Sequence, residues 1–224
     1  MMKKPVLIPF LIAALVSVCL AAEEHIVIST DQPLEGDEKT EVYTIHGPVE
    51  VRYKDISIKA SGMTYWQKEK KARLKGPLSL VSREVAITSR ELEYLFQEEK
   101  GVFMDQVIME VKSREKQGKK REPFVMNCNE LFFSAKTRDF QANKGARIIH
   151  TDFSAYAREA SYAEHTQELT LKTRASLTRS KKEKVLGNVI IIHLKDKSFE
   201  VQGAVKLEFI VEKEKNPKKE KKAG

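Results

Sequence analysis

A motif that returns every 29 residues limits what this chain can fold into more than any other feature. Gly47-Pro48-Val49-Glu50-Val51 recurs as Gly76-Pro77-Leu78-Ser79-Leu80, and Asp105-Gln106-Val107-Ile108-Met109 follows at the same interval. Gly145-Ala146-Arg147-Ile148, a degraded Thr173-Arg174-Ala175-Ser176-Leu177 and Gly203-Ala204-Val205-Lys206-Leu207 continue the series. A second marker keeps the same phase. Tyr65, Tyr94, Phe133 and Tyr162 each follow an apolar residue by two (Met63, Leu92, Leu131, Ala160) and a small residue by five (Ala60, Ser89, Cys128, Ala157). Nine residues after each aromatic comes Leu74, Phe103, Ala142 or Leu171. A fixed period of this length marks stacked units, each burying its apolar face only against its neighbours.

Within each unit the apolar spacing is two. Val49, Val51 and Tyr53 alternate with Glu50 and Arg52, Ile56, Ile58 and Ala60 with Ser57 and Lys59, and Val205, Leu207, Phe209 and Val211 with Lys206 and Glu208. Alternation of this kind puts apolar side chains on one sheet face and charged ones on the other. Gly, Pro, Asn and Asp punctuate the runs and read as turn residues, so each unit is expected to be two strands joined by tight turns. Arg90 to Lys100 is rich in Glu and Leu and has a helical composition. Its place in the repeat register assigns it to strand. The interval from Asp105 to Gly145 is 40 residues, and its surplus matches the charged stretch Lys112 to Glu122, read as a basic loop inserted between two strands.

Stacked strand pairs with one apolar face must bury it, by closing on themselves or by sandwiching two sheets. One reading is a sealed core. The other is a trough open enough to take a lipid. The small inward residues Ala60, Ser89, Ala157, Ala160 and Ala175 are taken as a sign that room is left inside. The candidate lining is Val49, Val51, Ile58, Tyr65, Leu74, Leu78, Leu80, Ile87, Tyr94, Phe103, Val107, Met109, Phe133, Ile148, Tyr162 and Leu171.

The first 22 residues look like an address. Met1-Met2-Lys3-Lys4 precedes an apolar run from Val6 to Ala22, which ends in small residues before Glu23-Glu24. That is the pattern of a secretory signal peptide. Two other readings stay open: Cys19 as a lipidated cysteine, or the run retained as a signal anchor close to the minimum spanning length. The organisation is therefore read as signal peptide 1–22, one β domain 23–211, and a Lys-rich disordered tail 212–224.

The formal charge of +8 suggests an acidic partner until its location is considered. Lys112 to Glu122 holds six basic and two acidic residues, and Glu212 to Gly224 six Lys and three Glu. With Lys3 and Lys4 removed, 38 basic and 32 acidic residues remain, +6; subtracting +4 and +3 leaves the folded body at about −1. Neither appendage interleaves its charge with aromatics, so nucleic acid is not an expected partner. The histidines His25, His46, His150, His165 and His193 are scattered, without a metal-ligand spacing. No metal, cofactor or catalytic role is expected. Cys128 reads as a buried small hydrophobe, and Trp66 as facing away from Tyr65.

The mature chain resembles the OstA-like periplasmic lipopolysaccharide-transport proteins. The resemblance rests on Ile26-Val27-Ile28-Ser29-Thr30-Asp31-Gln32, Gly47-Pro48-Val49-Glu50-Val51 and Ile56-Ser57-Ile58-Lys59-Ala60. It rests also on Leu186-Gly187-Asn188-Val189-Ile190-Ile191 with Phe199-Glu200-Val201-Gln202-Gly203. The chain departs from the family in its basic insertion and in Pro48 and Pro77, where the family often has Asn. The resemblance implies an all-β fold, a twisted antiparallel β-jellyroll whose interior holds the acyl chains of lipid A. It implies a periplasmic location and end-to-end joining with other jellyrolls of a bridge between the membranes, including a possible head-to-tail homo-oligomer. The open sheet edges would be the first strand (Ile26, Ile28) and the last (Val205, Leu207, Phe209). An inner-membrane-anchored member of the same system and a structural β-solenoid with a sealed core are the alternatives.

Overall fold

In the computed structural model, residues 25–116, 119–179 and 183–209 are described; the signal-peptide and tail readings lie outside them. The chain runs back and forth as antiparallel rungs. The first three are each split in two: β1 (Ile26–Ser29) and β2 (Leu34–Asp37), β3 (Val42–Ile45) and β4 (Val49–Tyr53), β5 (Ile56–Ala60) and β6 (Gly62–Trp66). Three continuous rungs follow, β7 (Lys71–Val81), β8 (Val85–Leu95) and β9 (Lys100–Val111). A short ribbon of β10 (Arg114–Lys116) and β11 (Lys119–Arg121) leads to β12 (Phe124–Ser134) and β13 (Phe140–His150). Then come β14 (Phe153–Ala157) with β15 (Glu159–Ala163), β16 (Glu168–Arg179), β17 (Glu183–His193), and finally β18 (Ser198–Gln202) with β19 (Lys206–Phe209). Among the described residues there is no helix. The stretch after Arg90 is strand, turn and strand, as the repeat register requires.

Every rung is bent near its middle. The pairing register shifts at Lys75/Leu78 in β7, Thr88/Glu91 in β8, Cys128/Glu130 in β12 and Lys172/Ala175 in β16. Left-handed backbone marks the same line at Gly76, Asp105, Gln106, Lys144, Gly145, Thr173, Arg174 and Gly203. Bonds run from corner to corner: Gly145 N–H donates to the Arg158 carbonyl, and Arg158 N–H to that of Thr173. The halves on one side of this line form a first sheet containing β1, β4, β5, β14 and β19. Those on the other form a second sheet containing β2, β3, β6, β15 and β18. The inner faces of both feed one apolar core. The fold is thus an all-β, antiparallel jellyroll of bent rungs, with two rungs in each 29-residue period.

Three expectations are corrected. The Gly-Pro markers are not the turns between strands but the corners within rungs, where the chain must bend while its ladders continue on both sides. The turns lie elsewhere, closed by left-handed Lys54, Lys70, Glu99, Arg138, Gln167 and Lys197. The basic insertion is not all loop, since its centre forms the β10–β11 ribbon. The small inward residues do not signal a wide interior: Ala60, Ser89, Ala157, Ala160 and Ala175 sit beside the corners and are buried. They share that position with larger buried residues such as Leu78 and Val107, so the interior is filled there.

Candidate functional site: the space between the sheets

Strand periodicity sends the sequence-predicted lining inward without exception. All but the half-buried Tyr65 are buried, from Val49 and Val51 through Leu80, Ile87 and Phe103 to Ile148, Tyr162 and Leu171. The interior they form is packed along most of its length. Cys128 belongs to it, and burial pushes its thiol up to about 11, as suits a small hydrophobe. The Tyr94 hydroxyl is buried there with no partner, and burial raises its pKa well above the ordinary value. Trp66 faces the other way, with the Lys71 ammonium 5.6 Å from its ring centre.

Opposite the corners, the free ends of the two sheets meet in a seam. Tyr53 at the end of β4 meets Phe96 beyond β8 at 5.4 Å, and Phe124 meets Phe140 at 6.0 Å and Tyr162 at 5.8 Å. Among the described residues, ion pairs join turns of the first sheet to turns of the second. Lys54 pairs with Glu99 at 2.5 Å, Glu84 with Arg138 at 3.2 Å, and Asp152 with Lys197 at 2.9 Å. The Lys54–Glu99 and Asp152–Lys197 pairs are partly exposed and add little to the seam, whereas Glu84 is only 11% exposed.

The seam changes character towards the C-terminal end. On the first sheet its inward row runs from Val111 and Phe124 to His150, Phe153, Arg179 and Glu183 in successive strands. Facing them are Ile192, Leu194 and Phe199, and between the two lies a cavity of about 590 Å³ floored by Leu177 and Ile192. That is ample for part of a lipid chain. The His150 ring stacks on Phe153 at 4.7 Å, and its Nδ1 accepts the Asp152 N–H at 3.1 Å. Burial holds His150 below its ordinary pKa, which favours the neutral ring, and its buried Nε2 has no partner among the described residues. The hydrogen bond with Lys197 lowers the pKa of Asp152 and raises that of Lys197. Arg179 lies with its guanidinium 5.4 Å from the Phe199 ring centre and, among the described residues, makes no ion pair.

The family described as "LptA/(LptD N-terminal domain) LPS transport protein" matches residues 27–198. The chain belongs to this family. No curated protein matches it. Among solved structures it is similar to LptH, the LptA-homologous periplasmic component of the lipopolysaccharide transport device of Pseudomonas aeruginosa. That likeness has 10% identity and a TM-score of 0.32, covering 70% of this chain and 95% of the other.

As a member of the family, the chain has informative ends. β1 and β2 pair only with the rung of β3 and β4, and β18 and β19 only with β17. Each end rung therefore has an open outer edge among the described residues. Ile26 and Ile28 are half-buried on the inner face, and Leu207 and Phe209 are 48% and 64% exposed on it. Val205 is exposed but precedes β19 instead of belonging to it, because the corner at Gly203 comes first. Sequence reasoning missed the other half of each edge, β2 and β18. It also missed the mouth residues His150, Phe153, Arg179, Lys197 and Phe199. Parity could have found His150 and Arg179, which stand two residues from inward Ile148 and Leu177.

Proposed function

We propose that this protein carries lipopolysaccharide across the periplasm, sheltering lipid A acyl chains between its two sheets. The reading is carried by one feature: an apolar interior that runs the length of the molecule and reaches solvent through the mouth and past the uncapped end rungs. Each CH₂ taken from water contributes about 0.8 kcal/mol, so several chains need a long dry surface, which a row of similar rungs supplies. Movement along it needs many equivalent contacts and no deep single pocket. A chain can enter at the mouth, where half-buried His150, Phe153 and Arg179 take the place of the buried aromatic contacts that close the rest of the seam. Carriage of this kind makes and breaks no covalent bond, and we read the protein as non-catalytic.

The end rungs extend the reading. An open edge pairs readily with another strand, so similar jellyrolls or further copies of this chain can add head to tail and continue the interior. This makes the protein a segment of a bridge between the inner and outer membranes. The test is photo-crosslinking of full-length exported protein in cells making lipopolysaccharide. Crosslinkers at Val51, Tyr65, Leu80 and Phe103 label it, while those at outward Arg52 and Lys59 do not. Equal labelling of both sets would refute the interior assignment.

A further inference from the structure

We infer that the mouth beside Arg179 is a subsite for the phosphate of an anionic amphiphile whose chain lies on Leu177 and Ile192. This rests on the carrier function proposed above and narrows it to where the charged end of the lipid sits. Three observations lead to it. The cavity has an apolar floor and a charged rim, the division an amphiphile presents. Arg179 is half-buried, and its guanidinium lies against Phe199 with no ion pair among the described residues to satisfy its donors. Arginine's planar fork matches phosphate oxygens in a bidentate fashion, and such charge-assisted bonds are the strong ones.

The acidic groups of the rim leave Arg179 available. Asp152 is engaged by Lys197 at 2.9 Å and feels the Arg179 charge without forming an ion pair with it. Glu183 is Arg179's strand partner, yet it forms no ion pair with it. Lys197 stands on the opposite sheet from Arg179 and stays paired with Asp152, so the phosphate contact falls to Arg179 alone. The apolar floor explains why a lipid headgroup, and not free phosphate, is the ligand: the anion alone would gain the guanidinium and forgo the burial of a chain.

The experiment compares dodecyl phosphate, dodecyl maltoside and inorganic phosphate by calorimetry on the full mature chain, below the micelle concentrations. Wild type is expected to bind dodecyl phosphate about tenfold or more tightly than dodecyl maltoside, as one charged hydrogen-bonded contact provides. Arg179→Gln removes that preference, read as the ratio of the two dodecyl affinities within the same variant, and Arg179→Lys recovers part of it. Equal wild-type affinities for the two dodecyl ligands, or a preference that survives Arg179→Gln, would overturn the subsite and leave the carrier function standing. Binding of neither dodecyl ligand would refute both. Displacement of dodecyl phosphate by millimolar inorganic phosphate would show a free-anion site and overturn the lipid assignment.

Discussion

The Tyr53 ring stands edge-on to that of Phe96, with centroids 5.4 Å apart and planes at 79°. The two residues belong to opposite sheets, and their contact closes the seam over the N-terminal half of the interior. Phe96 also meets Tyr94 at 5.0 Å and Tyr65 at 6.1 Å, so one ring from a turn plugs a cluster drawn from several rungs.

Replacing Phe96 with Ala is therefore expected to cost about 3–5 kcal/mol, the loss typical of a buried aromatic in a site that cannot collapse. Phe96 is 1% exposed, so nearly all its surface counts. Urea denaturation measures the loss. A change below about 1 kcal/mol would mean that the seam is loose and that the ring does not seal it.

The corners make a graded prediction. Gly76 has φ +89°, and a Cβ there would lie 2.6 Å from the Ser61 Cβ; Gly145 has φ +96°, but its nearest neighbour would be the Tyr156 hydroxyl at 3.8 Å. Gly145→Ala meets only the left-handed backbone, about 1–2 kcal/mol. Gly76→Ala adds a clash against a packed corner, for about 2–5 kcal/mol in all. Denaturation midpoints of the two variants give the comparison, and equal losses would show that corner packing is not what requires Gly76.

How far these features are legible in the sequence depends on what each residue type can signal. Val49 and Val51 against Glu50 and Arg52 declare an inner and an outer face, because a strand offers only two directions. Gly47-Pro48 and Gly76-Pro77 do not declare their role, since a corner inside a rung and a turn between rungs draw on the same backbone chemistry. The mouth is hidden for the opposite reason. Arg179 and Glu183 point inward, yet charged residues in an alternating strand read as outward, and only the count of two from Leu177 and Val185 places them correctly. The open edges are half legible: Ile26 and Ile28 form an apolar strand, whereas Leu34–Asp37 carries Glu35, Gly36 and Asp37 and has no strand signature.

Acid should weaken the mouth through His150. Burial lowers its pKa from the ordinary 6.5, with Asp152 and Glu122 opposing that shift and Lys197 adding to it. The unfolded chain then binds the proton more tightly than the folded one. The stability gained from the neutral ring is present above 6.5 and is lost as pH falls below it. Melting temperatures at pH 7.5 and 5.5 should therefore fall further for wild type than for His150→Phe, by on the order of 1–3 °C. Identical slopes in the two proteins would mean that the ring titrates freely in the folded state.

The uncapped C-terminal rung supplies the last prediction. Leu207 and Phe209 face inward, but no further rung covers them among the described residues, so Leu207 is exposed where its strand partner Val185 is buried, and Phe209 is more exposed than its half-buried partner Glu183. Converting both to Lys removes little packing, and folding stability should change by no more than about 0.5 kcal/mol for each, as for other surface substitutions. The open edge of β19 would then carry charge where an incoming strand must place its own inner face, which is how natural edges discourage pairing. Sedimentation of residues 23–224 at increasing concentration should show self-association in wild type and none in the double variant. The equivalent change on the outer face, Thr178→Lys with Ser176→Lys, should leave association intact, because it alters charge without touching the end rung. If the outer-face variant dissociates as completely as the end-rung variant, simple charge repulsion accounts for the effect and the edge is not the joint.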